Sequence, residues 1–426
     1  HLGRQGMRLL GRAPVVQREV EAAARQLEHD RAADAACGTG HQHGRAGGAV
    51  EAHSYNRRMQ GAREGESVLG GLVRRAIDAA GGWLPFDRFM AFALYAPGLG
   101  YYARGATLLG ASPADGSDFT TAPEMSALFG ATLAHQVRQA LDATGTDELW
   151  EFGAGSGALA MQMLQALGDR VRRFTIVDVS GALRVRQRER LAPFGDRVQW
   201  IDALPEAMHG VVIGNEVLDA MPVQLLHFDG ARWFERGVAA SRAGFVFADR
   251  PTPLRPPLDA AFVPGTTTEI HPQAEAFVRT LADRLRRGAV FLIDYGFPDA
   301  EYYLPERRGG TLMCHRGHRS DTDPLVDVGE KDITAHVNFS GIALAAQDAG
   351  LDVLGYTSQA RFLFNCGITD ALQAAQQRGD WAALAAAQKL ITEHEMGELF
   401  KVIGWVKGAP PFDAIGFADG DRSHRL

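Results

Sequence analysis

An acid followed by three glycines at alternate positions is the group of residues most able to do chemistry. Glu151 closes a short apolar run at 147–152, and Gly153, Gly155 and Gly157 follow it directly. Glycines spaced in this way let the backbone turn tightly and let a ligand lie against bare main chain. A pyrophosphate would be drawn to such a turn by amide donors and a helix N-terminus, but a carboxylate beside it repels phosphate. S-adenosyl-L-methionine (SAM) carries an ammonium, a sulfonium and no phosphate, so the acid favours a methyl donor. Asp178 ends the next apolar run, 21 positions after Gly157. A carboxylate there suits ribose hydroxyls in SAM and NAD alike. Gly153-x-Gly155-x-x-Ala158 also satisfies the dinucleotide pattern, so an NAD-dependent oxidoreductase stays open as an alternative.

A second buried-type run, 210–214, delivers Asn215 and Glu216, with Asp219 three residues on. Two carboxylates and an amide at the mouth of a sheet would orient a cationic acceptor; helix capping and dipole pairing by Glu216 and Asp219 is the plainer reading. Asn215 is not followed by Pro-Pro-Tyr, the signature of amino-methyltransferases acting on nucleic-acid bases. Thr121-x-x-Glu124 reads as a capping box for a helix over 125–141, with Pro123 in its first turn; alternatively Pro123 and Glu124 fold over the cofactor as a lid. Residues 268–272 read as a helix entrance with Glu269 facing the substrate. His315 and His318 suggest a metal, but no further ligand has convincing spacing, and no metal is expected. His336 lies in a strand-like run and is either a satisfied core histidine or part of the acceptor site.

These residues need a frame. Apolar runs at 147–152, 173–178, 197–201 and 210–214 alternate with helical or turn segments, which predicts an α/β fold with a doubly wound, mostly parallel sheet. Residues 223–250 break the rhythm and read as an antiparallel meander with turns at Asp229-Gly230 and Ala243-Gly244. A helix over 272–287, a strand at 289–294, helices within 369–398, and strands near 351–357 and 400–406 complete the expectation. Helical patterns dominate 67–135. The domains expected are a helical or lid region at 67–146, a catalytic domain at 147–408 with an insertion at about 223–268, and a tail at 409–426.

At 426 residues with 46% apolar content the chain can bury a sizeable core. A net charge of −7 supplies no basic field for nucleic acid. Three scattered cysteines indicate neither a disulfide framework nor a zinc site, and no apolar run approaches the ~18 residues of a membrane span. A cytoplasmic, bacterial setting is expected. Residues 1–66 are rich in Gly, Ala, Arg and His; one amphipathic helix through Val16, Val20, Ala23 and Leu27 fits there, and the segment reads as a disordered or non-native extension.

Gly98-Leu-Gly-Tyr-Tyr102, Gly116–Glu124, Glu151–Gly157 and Asn215–Pro222 together resemble the MidA-type protein arginine methyltransferases, relatives of the mitochondrial complex I assembly factor 7. Asp294-Tyr-Gly296, Asp332–Val337 and Glu395–Lys401 extend the resemblance over about 67–408. It implies a class I, Rossmann-like SAM-methyltransferase fold and methylation of a protein arginine, in a complex I subunit for the mitochondrial members. It places Glu151, Gly153, Gly155 and Gly157 at the amino-acid end of SAM, Asp178 at the ribose, and Asn215, Glu216 and Asp219 on the acceptor side. Asn338 stands where the family usually has aspartate, and His271 where it has a small residue; both departures are expected to touch acceptor handling. A SAM-fold assembly chaperone without essential catalysis is a further alternative, and a homodimer is possible.

Overall fold

Side chains alternate across a strand, so an apolar strand covered on both faces must be apolar throughout. The computed structural model, which describes residues 67–104, 120–178 and 181–426, is built on that arrangement. The expected helix through Val16–Leu27 and the segment Asp118–Phe119 lie outside the described residues. The described chain starts with α1 (Val68–Ala79), where the Ser67 hydroxyl accepts from the Gly70 amide and Leu69, Leu72, Val73 and Ile77 form the buried stripe. A two-residue strand β1 (Leu84–Pro85) leads into α2 (Phe86–Tyr95). Then come the short α3 (Ala122–Met125), the long α4 (Ala127–Thr144), β2 (Glu148–Phe152), α5 (Ala158–Leu167), β3 (Arg173–Val177), α6 (Gly181–Leu191), β4 (Val198–Ile201) and β5 (Met208–Asn215). The meander follows as β6 (Gln224–Phe228), β7 (Trp233–Ser241), β8 (Gly244–Pro251) and β9 (Thr267–Ile270). The chain returns through α7 (Pro272–Arg284) to β10 (Leu285–Phe297), α8 (Asp299–Tyr302), β11 (Met313–Arg316), β12 (Arg319–Asp321), β13 (Asp332–Thr334) and β14 (Val337–Asn338). It ends with α9 (Phe339–Asp348), β15 (Asp352–Ser358), α10 (Gln359–Asn365), α11 (Ile368–Gln377), α12 (Trp381–Ile391) and β16 (Phe400–Lys407).

The main sheet runs β4-β3-β2-β5-β10-β16-β15. The strands from β4 to β10 are parallel, and β16 lies antiparallel between β10 and β15. Leu149, Ile213, Phe291 and Val402 face one side, under α4 and α5. Their neighbours Trp150, Val212, Leu292 and Ile403 face the other, under α7 and α9.

The N-terminal helices do not stand apart. Leu84 and Pro85 pair antiparallel with Val238 and Gly237 of β7, which joins β1 to the meander in a five-stranded sheet. Val73, Phe89, Leu225, Val238, Cys314 and Ile333 share one apolar cluster, so the N-terminal helices, the meander and β11–β13 bury a common core.

Several local expectations give way to tertiary pairing. Of residues 268–272, read as a helix entrance, 268–270 belong to strand β9, while the helix does start at Pro272 as expected. That helix stops at Arg284 because Leu285 turns extended and begins β10. The histidine-rich segment is the hairpin β11–β12, whose turn residues Gly317 and His318 both adopt positive φ, 56° and 58°. The capping box does not form: Thr121 makes no side-chain cap, and α4 is capped instead by Ser126, whose hydroxyl accepts from Leu128 N.

Candidate active site

Chain order reverses between β2 and β5, and at this switch point the carboxyl ends of the strands open into a cavity of about 1010 Å³. The first wall is the turn after β2. Gly153, Gly155 and Gly157 have φ of 62°, 54° and 83°, a left-handed run closed to residues with a Cβ except at a cost. Gly153 and Gly155 line the cavity. Gly157 does not: it sits behind the wall as N-cap of α5, with Gln187 directly over its α-carbon, so its role is to shape the turn. Glu151 lines the cavity, is 3% exposed, and its Oε2 has no hydrogen-bond partner. Burial, with the Asp178 charge nearby, pushes its carboxyl up to about 8.

Asp178 occupies the end of β3 on the same wall. Gln187, passed over in the sequence, ties the two together: its Nε2 donates to the Gly155 carbonyl and to Asp178 Oδ2, both at 2.8 Å, and its Oε1 accepts from Trp200 Nε1 at 2.9 Å. Pro123 and Glu124 form the roof at this end. Glu124 accepts from Ser156 of the glycine turn and, at 2.9 Å, from Arg190, which is why it is not free to cap its own helix. Gln162 holds the same roof by donating to the Pro123 carbonyl at 2.7 Å.

The far end of the cavity is built on β5 and β10. Asn215, Glu216 and Asp219 all line it. Glu216 has a left-handed backbone, φ 54°, unusual outside glycine, and its amide donates to the Ile293 carbonyl at 2.8 Å. Asn215 Nδ2 donates to Glu216 Oε1 at 2.8 Å. Desolvation and the adjacent Asp219 push Glu216 up to about 8. Desolvation also lifts Asp219, to about 6, opposed by the Tyr295 hydroxyl that donates to its Oδ2 at 2.5 Å. Asp294, on β10, is buried beneath them and accepts from the amides of Leu218, Asp219 and Tyr295; burial raises it well above the carboxylate range. It is the brace of the acceptor turn and lies off the cavity wall.

His336 reaches the cavity with its ring edge-on to Tyr295 and Phe297, and its Nδ1 is buried without a partner. Burial and the charges of Arg307 and Lys401 lower it to about 4, so it is neutral at pH 7. Tyr95, Tyr102, Tyr295 and Asp332 complete this end and carried no assignment in the sequence. Three other expectations do not hold. Glu269 is turned into the core, accepting from Thr311 N, Leu312 N and the Tyr302 hydroxyl. Asn338 caps α9 and His271 meets the Tyr302 hydroxyl; neither lines the cavity. Among the described residues, no group of three or more His, Cys, Asp and Glu is placed to hold a metal ion.

Six carboxylates therefore face the cavity (Glu124, Glu151, Asp178, Glu216, Asp219 and Asp332), and no described lysine or arginine does. Such a wall offers a dinucleotide's pyrophosphate no lysine or arginine and suits a cation, whose arrival ionises the raised carboxyls. The unpartnered Oε2 of Glu151, beside bare glycine backbone and in reach of a second acid for ribose, fits the ammonium end of SAM.

The comparisons agree with the geometry. A protein from Burkholderia thailandensis, solved bound to S-adenosyl-homocysteine, is 50% identical, with a TM-score of 0.80 over 90% of this chain and 100% of its own. The zebrafish (Danio rerio) mitochondrial protein arginine methyltransferase NDUFAF7 is 27% identical over 380 residues, 79% of this chain and 86% of its own. The Caenorhabditis elegans homologue is 28% identical over 67% of this chain and 73% of its own. Residues 132–357 match the family pattern of S-adenosyl-L-methionine-dependent methyltransferases, and the chain belongs to that family.

Proposed function

We propose that this enzyme methylates the guanidinium of an arginine in a protein acceptor. The observation that carries the reading is the far end of the cavity, where Glu216, Asp219 and Asp332 meet three tyrosines with no described lysine or arginine on the wall. The curated relatives, named as protein arginine methyltransferases, support it. A subunit of respiratory complex I is the acceptor we propose first, on the resemblance to the MidA-type proteins.

When bound, SAM supplies a methyl group already activated by its positive sulfur. In this reading Glu151 holds the ammonium, Asp178 accepts from the ribose hydroxyls, and the glycine turn lets the ligand lie against its backbone. Asn215, Glu216 and Asp219 align the guanidinium nitrogen with the methyl, and alignment of this kind lowers the barrier by pre-paying orientation. An arriving guanidinium draws both raised carboxyls into their ionised forms. Glu216, whose carboxyl is raised by desolvation, is suited to take the proton released as the bond forms. Tyr295 keeps Asp219 turned toward the acceptor. His336, neutral and unpartnered at Nδ1, supplies a hydrogen-bonding atom on the same wall.

The test is transfer of labelled methyl from SAM into an extract of cells lacking this protein, comparing wild type with Gly155→Val. Label recovered as methylarginine, and lost with the variant, is expected. Label recovered only on other residues, or none despite measured SAM binding, would end the arginine reading.

A further inference from the structure

Gly98-Leu-Gly-Tyr-Tyr102 folds back against α2 and brings Tyr102 to the cavity wall. The structure shows what it builds. Gly100 lies so close to the end of α2 that a Cβ there would sit 2.6 Å from Ala96 N and 2.7 Å from Tyr95 N. That close approach lets the chain fold back, with Tyr101 N donating to Ala93 O and Tyr102 N to Leu94 O, both at 2.9 Å. The reversal stacks Tyr102 on Tyr95, ring centroids 5.7 Å apart and planes 21° from parallel. Both rings line the cavity. The Tyr95 hydroxyl donates to the Ala220 carbonyl at 2.8 Å, one residue past Asp219. The Tyr102 hydroxyl donates to Asp332 Oδ1 at 2.9 Å, across 230 residues of sequence. Asp332 is 4% exposed and lies on the cavity wall, close enough to Glu216 for its charge to raise that carboxyl.

From this geometry we infer that Asp332, oriented by Tyr102 and flanked by the Tyr95–Tyr102 stack, is the specificity-determining group that selects a guanidinium over an ammonium. The inference rests on the arginine reading above. A guanidinium is planar, stacks on aromatic rings and offers parallel donors to a carboxylate, whereas an ammonium is a compact point charge that gains little from a flat wall. The Tyr102 hydroxyl, 2.9 Å from Asp332 Oδ1, helps to orient that carboxylate. Tyr102 is thus a positioning residue and Asp332 a contact for the acceptor.

The experiment uses the full chain loaded with S-adenosyl-homocysteine and two probes of the acceptor side chain, propylguanidinium and butylammonium, with binding followed by NMR titration. Wild type is expected to prefer propylguanidinium. Asp332→Asn should weaken propylguanidinium roughly 10- to 100-fold and erase the preference, and Tyr102→Phe, which keeps the ring, should weaken it about fivefold. S-adenosyl-homocysteine affinity and melting temperature, the readouts a merely structural role would move, should stay near wild type, and Tyr102→Phe carries the test if Asp332→Asn does not fold. Wild-type preference retained in both variants would overturn the assignment to Asp332 while leaving the arginine reading intact. A wild type that prefers butylammonium, or binds neither probe, would overturn both.

Discussion

Replacing Glu151 by glutamine separates ligand binding from folding, because the two should move in opposite directions. The carboxyl is 3% exposed, sits at about 8, and has one oxygen without a partner. In the folded, ligand-free protein it keeps a proton that the unfolded chain releases near 4.5, so the stability this group contributes is complete below about 4.5 and is lost as pH rises through about 8. The displacement corresponds to a penalty on the order of 5 kcal/mol above pH 8. The amide has no such proton to lose. Ligand-free Glu151→Gln should therefore match wild type at pH 4.5 and melt higher at pH 8.5. Ligand affinity should fall instead, since a charge-assisted hydrogen bond of about 1.5–3 kcal/mol is exchanged for a neutral one of about 0.5–1.5 kcal/mol, a difference of about 1–1.5 kcal/mol or roughly a 5- to 15-fold loss. S-adenosyl-homocysteine, which shares the ammonium and lacks the sulfonium, should lose as much as SAM. In wild type, seating the ammonium ionises Glu151, so affinity should weaken as pH falls below about 8, with proton release measurable by titration calorimetry in buffers of different ionisation enthalpy. Calorimetry for both ligands and thermal melts across pH supply the measurements. Affinity within twofold of wild type would refute the assignment, and a parallel fall of affinity and melting temperature would refute the reasoning about the buried charge.

Three further outcomes follow from the same geometry. Glu216→Gly relieves a left-handed backbone and removes a desolvated carboxyl, so urea denaturation should show about 1–2 kcal/mol of added stability while turnover drops at least 100-fold. Gln187→Leu removes a hydrogen bond from each of the Gly155 carbonyl, Asp178 and the Trp200 indole, and should cost about 1–3 kcal/mol in denaturation and weaken SAM in calorimetry. Arg190→Ala leaves Glu124 tied to the glycine turn by Ser156 alone; because the Arg190–Glu124 pair is partly exposed, stability should change by less than about 1 kcal/mol, and stopped-flow should show faster SAM release from the loosened roof.

The apolar runs that carry the cofactor end were legible because a strand covered on both faces has to be apolar throughout, and β2, β3 and β5 fall within two residues of the runs that predict them. Glu151, Asp178, Glu216 and Asp219 were legible because they stand at the ends of those runs. Gln187 was not, since a glutamine inside a helix carries no sign of the three partners it meets through folding. Tyr295 and Asp332 were hidden for the same reason: their meaning lies in contacts with Asp219 and Tyr102, 76 and 230 residues away. The two-residue β1 has no periodicity to read, yet its pairing with β7 is what binds the N-terminal helices to the meander. The capping box failed because a charged partner outside the helix outcompeted a local bond.

The position of β16 has a consequence for how the molecule is made. It is the last strand in the chain and the sixth across the sheet, inserted between β10 and β15. A ribosome that has released everything up to residue 399 has produced every wall of the cofactor end, but β10 and β15 each present an unpaired apolar edge with a strand-wide gap between them. The nascent chain is thus adhesive at its centre until residues 400–407 emerge. Removing that segment would leave an aggregation-prone chain, and late, non-local closure of this kind favours slow folding and dependence on holding chaperones.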